Sequence, residues 1–124
     1  MSFSGLKTSV RYFLDSDAGK NARREDVAAS FQAAVVDVLI DRVDRALDAR
    51  EYRALVLSGG VAANSALQSA FLALGRRRGI PAFVPEQQFC TDNAAMIAAA
   101  AERRAGAART DPRTLVANPN LSFA

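Results

Sequence analysis

The sequence predicts an α/β fold, a short parallel sheet flanked by helices, and three observations carry that prediction. Two apolar runs of strand-like content, residues 52–57 and 80–84, are separated by a stretch with apolar positions at helical spacing. Each run leads through a corner of small and polar residues, Ser58-Gly59-Gly60-Val61-Ala62-Ala63-Asn64 and Phe89-Cys90-Thr91-Asp92-Asn93, into another helical pattern. A strand, a crossover helix and a second strand at this spacing imply a parallel pair with a right-handed connection.

From the N-terminus, Ser2-Phe3-Ser4 reads as the remnant of a strand, followed by an amphipathic turn through Leu6, Val10, Phe13 and Leu14. Residues 15–21, with Gly19 inside them, read as a loop. From about 24 to 50, Val27, Phe31, Val35, Val38, Leu39, Val43 and Leu47 recur close to a 3.6 period, while Asp37, Asp41, Arg42, Asp44, Arg45 and Asp48 fill the other face. That pattern predicts a long amphipathic helix. Residues 52–57 suit a buried strand, 64–78 a helix closed by Gly79, 80–84 a second short strand, and 92–105 a last helix before Gly106. The tail, 115–124, with Pro119 between two Asn, is expected to pack as an extended segment. Two or three strands with three or four helices make a thin core. A sheet so narrow leaves an edge unpaired and a helix face uncovered, so another surface is expected to complete it, from another chain or from a second copy.

Composition narrows the class. A chain of 124 residues suits one domain at most, and 50% hydrophobic with 23% charged residues excludes a disordered or membrane-embedded protein. No apolar run approaches the roughly 20 residues needed to span a bilayer, and the N-terminus lacks a basic-then-apolar signal layout. A cytoplasmic location is expected. The single cysteine, Cys90, rules out an internal disulfide and, after an aromatic residue, reads as a buried small hydrophobe. A net charge of +3 is compatible with a polyanionic partner without demanding one. Arg76-Arg77-Arg78 sits where cations complement the end of a helix dipole, with phosphate contact the lesser alternative. There is no Walker A loop and no G-x-G-x-x-G fingerprint.

Each candidate site residue has two readings. Gly59-Gly60 is either a tight turn with no ligand or a place where backbone approaches one closely. Asn64 is either a polar residue in the first turn of a helix or an amide offering a donor and an acceptor to a ribose hydroxyl or base edge. On local physics alone, Asp92 is a cap for the last helix.

Five stretches shift that balance: Ser2-Phe3-Ser4-Gly5-Leu6-Lys7-Thr8, Ala29-Ser30-Phe31-Gln32, the corner from Gly59 to Asn64, Cys90-Thr91-Asp92-Asn93-Ala94-Ala95-Met96-Ile97, and Asn118-Pro119-Asn120-Leu121. In this order and spacing they resemble, end to end, the C-terminal part of the TsaD family of tRNA threonylcarbamoyladenosine transferases. The resemblance covers well under half of the family's length. It implies that residues 1–124 are the C-terminal lobe of a two-lobe plan similar to the actin-like ATPases, with an RNase H-like fold. It also implies acyl transfer, in which a threonylcarbamoyl group passes from threonylcarbamoyl-AMP to the adenosine next to the anticodon of a tRNA.

By that resemblance Gly59, Gly60 and Asn64 hold the adenine nucleotide, and Asp92 is the third ligand of an iron or zinc ion. The other two ligands are histidines of an H-x-x-x-H helix, and this chain has no histidine. No residue here is expected to be catalytic by itself. The chain is expected to be inactive alone, with the missing N-terminal lobe or other subunits of the tRNA-modification complex as partners and self-association as another way to cover its open faces. A non-catalytic dimerisation or interaction module of the same complex is the alternative; retention of both Asn64 and Asp92 favours the enzyme. The family's older label, sialoglycoprotein endopeptidase, finds no support, because the sequence has neither an H-E-x-x-H helix nor a G-x-S-x-G elbow.

Overall fold

The computed structural model describes residues 3–104 together with Gly106, Arg113 and Val116. Helix α1 spans Ser4–Asp15, α2 Asp17–Asn21, α3 Arg24–Ala49, α4 Ser65–Arg78 and α5 Ala94–Arg103, with strands β1 at Leu55–Val56 and β2 at Ala82–Phe83. Single 3-10 turns, Gly60–Ala63 and Gln87–Phe89, follow the two strands. The α/β class and the long central helix agree with the sequence. Ser2, Ala105 and, apart from Val116, the 115–124 tail lie outside the described residues.

The N-terminal expectations need correcting. Phe3 and Ser4 belong to a helix start and not to a strand: the Lys7 amide donates to the Phe3 carbonyl at 3.0 Å, and the Thr8 hydroxyl donates to the Ser4 carbonyl at 2.9 Å. The apolar spacing of Leu6, Val10 and Phe13 therefore extends back to Ser4. Residues 15–21 are not wholly a loop either. Ser16 ends α1 and caps α2, its Oγ accepting from the Gly19 amide at 3.2 Å. Gly19 is buried, and a Cβ there would fall on the Phe13 carbonyl, so only glycine lets α2 fold back onto the end of α1.

The sheet is as small as a parallel sheet can be. Leu55 pairs with Ala82 and Val56 with Phe83, and the ladder is closed by Leu55 N–H to Pro81 O at 2.8 Å and Leu57 N–H to Phe83 O at 2.9 Å. Both strands are shorter than the apolar runs that announced them, because no third strand extends the ladder among the described residues. One face is covered by α4, which buries Leu67, Phe71, Leu74 and Gly75. Burying each large apolar side chain stabilises the fold by about 1.5–3 kcal/mol. Leu55, Ala62 and Cys90 complete the core. On the other face Val56 and Phe83 stand 72% and 58% exposed, so the reading of residues 52–57 as a buried strand holds for Leu55 and fails for Val56.

Helix α4 is set against β2 by the absence of a side chain. A Cβ on Gly75 would lie 2.6 Å from that of Ala82 and 2.9 Å from the Ile80 carbonyl. The helix then stops at Gly79, left-handed at φ 67°, with the Ile80 amide returning to the Gly75 carbonyl at 3.0 Å.

Helix α3 has no fully buried residue, and its link to α4 is partly ionic. Asp44 receives Arg77 Nη2 at 2.8 Å and Arg78 Nε, while Arg78 Nη1 reaches Asp48 Oδ1 at 2.9 Å. Two of the three consecutive arginines are thus engaged within the fold. Among the described residues no helix is long and apolar enough to cross a membrane.

The Arg78 hydrogen bond, seconded by Arg77, holds the Asp44 carboxyl below its ordinary value of 3.8. Its contribution to stability is therefore fully present above that value and is lost as pH falls through the lowered one. Asp44→Asn is expected to lower the melting temperature at neutral pH, and the gap to the parent chain should close on acidification below about pH 4. A gap that stays constant down to about pH 2 would show that the clamp does not stabilise the fold.

Candidate functional site

Both candidate corners leave the sheet from its carboxyl edge, the edge at which open α/β sheets take their ligands. The first follows β1. Gly59 adopts φ 88° and ψ 172°, a conformation essentially confined to glycine, and its carbonyl accepts from the Ala62 amide at 2.9 Å to start the 3-10 turn. Gly60 has no such backbone demand. A Cβ on either glycine would meet nothing within 4 Å, and both are exposed. Their N–H groups donate to no acceptor among the described residues, so this backbone is open to a ligand.

Asn64 stands at the boundary between that turn and α4. It lies outside the helix that the sequence predicts over 64–78 and caps it: its Oδ1 accepts from the Leu67 amide at 3.0 Å. Its Nδ2 donates to Gln32 Oε1 of α3 at 2.9 Å. The two readings of Asn64 are therefore compatible, since one proton on Nδ2 and one lone pair on Oδ1 remain after both bonds are made. Beside it, α3 and the first corner enclose a hollow of about 300 Å³ lined by Phe31, Gln32, Val35, Val61, Asn64 and Leu67, among others.

The second corner follows β2. Cys90 is buried, its thiol directed to the Glu86 carbonyl at 3.5 Å, as expected of a small hydrophobe. The last helix starts at Ala94, and its cap is Asn93, not Asp92: Asn93 Oδ1 accepts from the Met96 amide at 2.9 Å and Nδ2 donates to the Thr91 carbonyl at 2.8 Å. Asn93 thus both caps the helix and closes the turn before it. Asp92 is exposed and makes no hydrogen bond or ion pair among the described residues. The capping reading of Asp92 falls, because its neighbour already fills that position.

The structure gathers Gly59, Gly60 and Asn64 in one corner and puts Asp92 in the other, with no bond between Asp92 and the rest. What joins the corners is Gln68, a residue the sequence reading passed over. Its Nε2 donates to the Ala62 carbonyl at 2.7 Å and to the Pro85 carbonyl at 3.3 Å, tying the first corner to the segment that leaves β2. Asn93 could have been found from sequence, as an N-cap residue type directly before an apolar helix. No local pattern marks Gln68.

No group of three or more Cys, Asp and Glu gathers among the described residues, and the chain has no histidine. These residues do not by themselves fit an iron or zinc ion. Asp92 offers one carboxylate and no more.

Residues 1–99 match the family model TsaD, tRNA N6-adenosine threonylcarbamoyltransferase. Three relatives carrying that enzyme name are 47% identical over 98% of this chain in Salinibacter ruber, 48% over 97% in Carboxydothermus hydrogenoformans, and 43% over 98% in Thermosipho africanus. The chain spans only 38%, 35% and 37% of their respective lengths.

The caps separate structural roles from others. Asn93→Ala is expected to cost about 1 kcal/mol in chemical denaturation, and Asp92→Ala less than about 0.5 kcal/mol. Gly59→Ala should cost about 1–3 kcal/mol through its backbone, whereas Gly60→Ala should be close to neutral. A loss at Asp92 equal to that at Asn93 would restore Asp92 as a cap.

Proposed function

The chain belongs to the TsaD family, and from that membership we propose that residues 1–124 form the C-terminal, nucleotide-binding lobe of a tRNA N6-adenosine threonylcarbamoyltransferase with an actin-like ATPase, RNase H-like plan. The observation that carries the reading is the placing of both family corners on the carboxyl edge of one parallel strand pair, with the Gly59-Gly60 backbone left open. In this reading threonylcarbamoyl-AMP lies against Gly59, Gly60 and Asn64. The exocyclic amine of the adenosine next to the anticodon attacks the threonylcarbamoyl carbonyl; a C–N bond forms, the C–O bond to the phosphate breaks, the amine loses a proton and AMP leaves. This lobe holds and orients the nucleotide, which is where its contribution to the rate lies.

Asp92 is read as one ligand of a metal whose other ligands come from outside this chain. Its support is negative and specific: the carboxylate does not cap α5, and among the described residues it pairs with no cation. The remaining lobe or other subunits of the tRNA-modification complex are the expected partners, in the cytoplasm, and the uncovered Val56 and Phe83 offer one place for them or for a second copy.

A graft tests this. With the matching C-terminal part of the Salinibacter ruber relative replaced by this chain, the hybrid is expected to transfer threonylcarbamoyl to tRNA, while the chain alone transfers none and binds no stoichiometric iron or zinc. In the hybrid, Asn64→Ala should weaken adenylate binding by roughly 1–3 kcal/mol and leave the metal in place. Asp92→Asn should leave stability unchanged, release the metal and nearly abolish transfer. A folded hybrid that is inert would overturn the enzyme reading in favour of an interaction module, and full activity in Asp92→Asn would overturn the metal assignment alone.

A further inference from the structure

The Ala29-Ser30-Phe31-Gln32 stretch is one of the segments that identify the chain, yet nothing in the reaction described above uses it. The structure supplies a use. Gln32 lies a little over two turns into α3, on the side that faces the first corner, and its Oε1 accepts from Asn64 Nδ2 at 2.9 Å across 32 residues of sequence. Asn64 is meanwhile held from the other side by the Leu67 amide on Oδ1 at 3.0 Å. The Asn side chain has two rotatable bonds, χ1 and χ2, once its Cβ is placed by the backbone, and two bonds of opposite polarity on the two ends of the carboxamide hold both. The flipped orientation would set Oδ1 against Gln32 Oε1 and Nδ2 against the Leu67 N–H, two repulsive contacts in place of two attractive ones.

We propose that Gln32 is a positioning residue: it locks the Asn64 carboxamide in one orientation, so that the remaining Nδ2 proton and Oδ1 lone pair meet an adenine nucleotide already aligned. This rests on the reading of Asn64 as a nucleotide contact. Pre-orientation matters because an exposed amide that must be ordered on binding loses part of each hydrogen bond it gains to that ordering. The helix cap alone fixes Oδ1 but leaves Nδ2 without a partner. Gln32 supplies the second point, and through it α3 acts on the orientation of Asn64.

The test uses the 124-residue chain, with the Asn64 side-chain amide signals in 1H–15N spectra as the reporter and adenosine as the probe. Adenosine carries no phosphate, so the charge introduced by Gln32→Glu meets none. In the free chain, Gln32→Met, which keeps the length of the side chain and removes the acceptor, is expected to shift the hydrogen-bonded Asn64 proton upfield without changing the melting temperature, and Gln32→Glu to return it downfield. In the titration, Gln32→Met should weaken adenosine binding roughly three- to tenfold and Gln32→Glu should recover it, because one neutral hydrogen bond is at stake. A lost cap would lower the melting temperature in step with affinity, so an unchanged melt with an altered affinity separates positioning from support. Asn64 signals that ignore Gln32→Met would overturn the proposal. So would an affinity lowered by Asn64→Ala and untouched by Gln32→Met, which leaves the nucleotide reading standing. A parent chain whose Asn64 signals do not respond to adenosine removes both.

Discussion

At Gly75 the backbone of α4 approaches β2 so closely that a methyl group would stand 2.6 Å from the Ala82 Cβ, and the arrangement of the rest of the molecule follows from that approach. Because α4 is the element that covers the strand pair, its depth sets how Phe71 and Leu74 enter the core, and they are among the few large side chains that are buried among the described residues. Its N-terminus then carries Asn64 to the carboxyl edge of the sheet. Its C-terminus brings Arg77 and Arg78 to Asp44 and Asp48, which tie down the C-terminal half of α3. One close contact thus places the first corner at one end of a helix and an ionic clamp at the other. With so small a core, there is little else to enforce either placement.

The two corners are built on the same device. Each is an irregular turn ending on an asparagine whose Oδ1 accepts from the third amide of the following helix and whose Nδ2 reaches back or across, Asn64 to Gln32 and Asn93 to the Thr91 carbonyl. A carboxylate at either position would accept equally well from the helix but could not donate, so the second tether would be lost. Gln68 adds a third neutral amide between the corners, with both protons of its Nε2 engaged by carbonyls. The corners are therefore held by uncharged groups. Such bonds join groups that do not titrate, so they keep their strength as pH changes.

What the sequence made legible follows from how local the cause is. The 3.6 period of α3 and the Gly79 stop are each set by neighbours a few residues apart, and the parallel pairing of Leu55 with Ala82 is announced by two apolar runs on either side of a helical pattern; each is found in place. The strand remnant at Phe3 and Ser4 was misread because a short apolar-polar alternation cannot be told from a helix start until the Thr8 hydroxyl bond is seen. Residues 15–21 were misread because Gly19 looks like a helix breaker, and only its contact with the Phe13 carbonyl shows why glycine is required inside α2. The corners were legible as corners, and Asn64 as a polar residue at a helix start. Gln32 and Gln68 were not, because their partners lie 32 residues away in one case and 17 in the other, and nothing local encodes such a bond.

Asp92 shows how an error in local structure can strengthen a functional argument. Read from sequence, it had a sufficient reason to be where it is, since an acid before an Ala-rich helix stabilises that helix. The structure removes the reason by giving the cap to Asn93, one residue later, and no cation among the described residues is paired with the carboxylate in its place. The backbone of the turn it sits in is nevertheless held, on one side by the buried Cys90 and on the other by Asn93 bonded to the Thr91 carbonyl. A carboxylate without a partner among the described residues, on a turn whose backbone is tied at both ends, is accessible to donors from another part of the protein: its Cα is placed in advance, and no bond has to be broken before the side chain can engage.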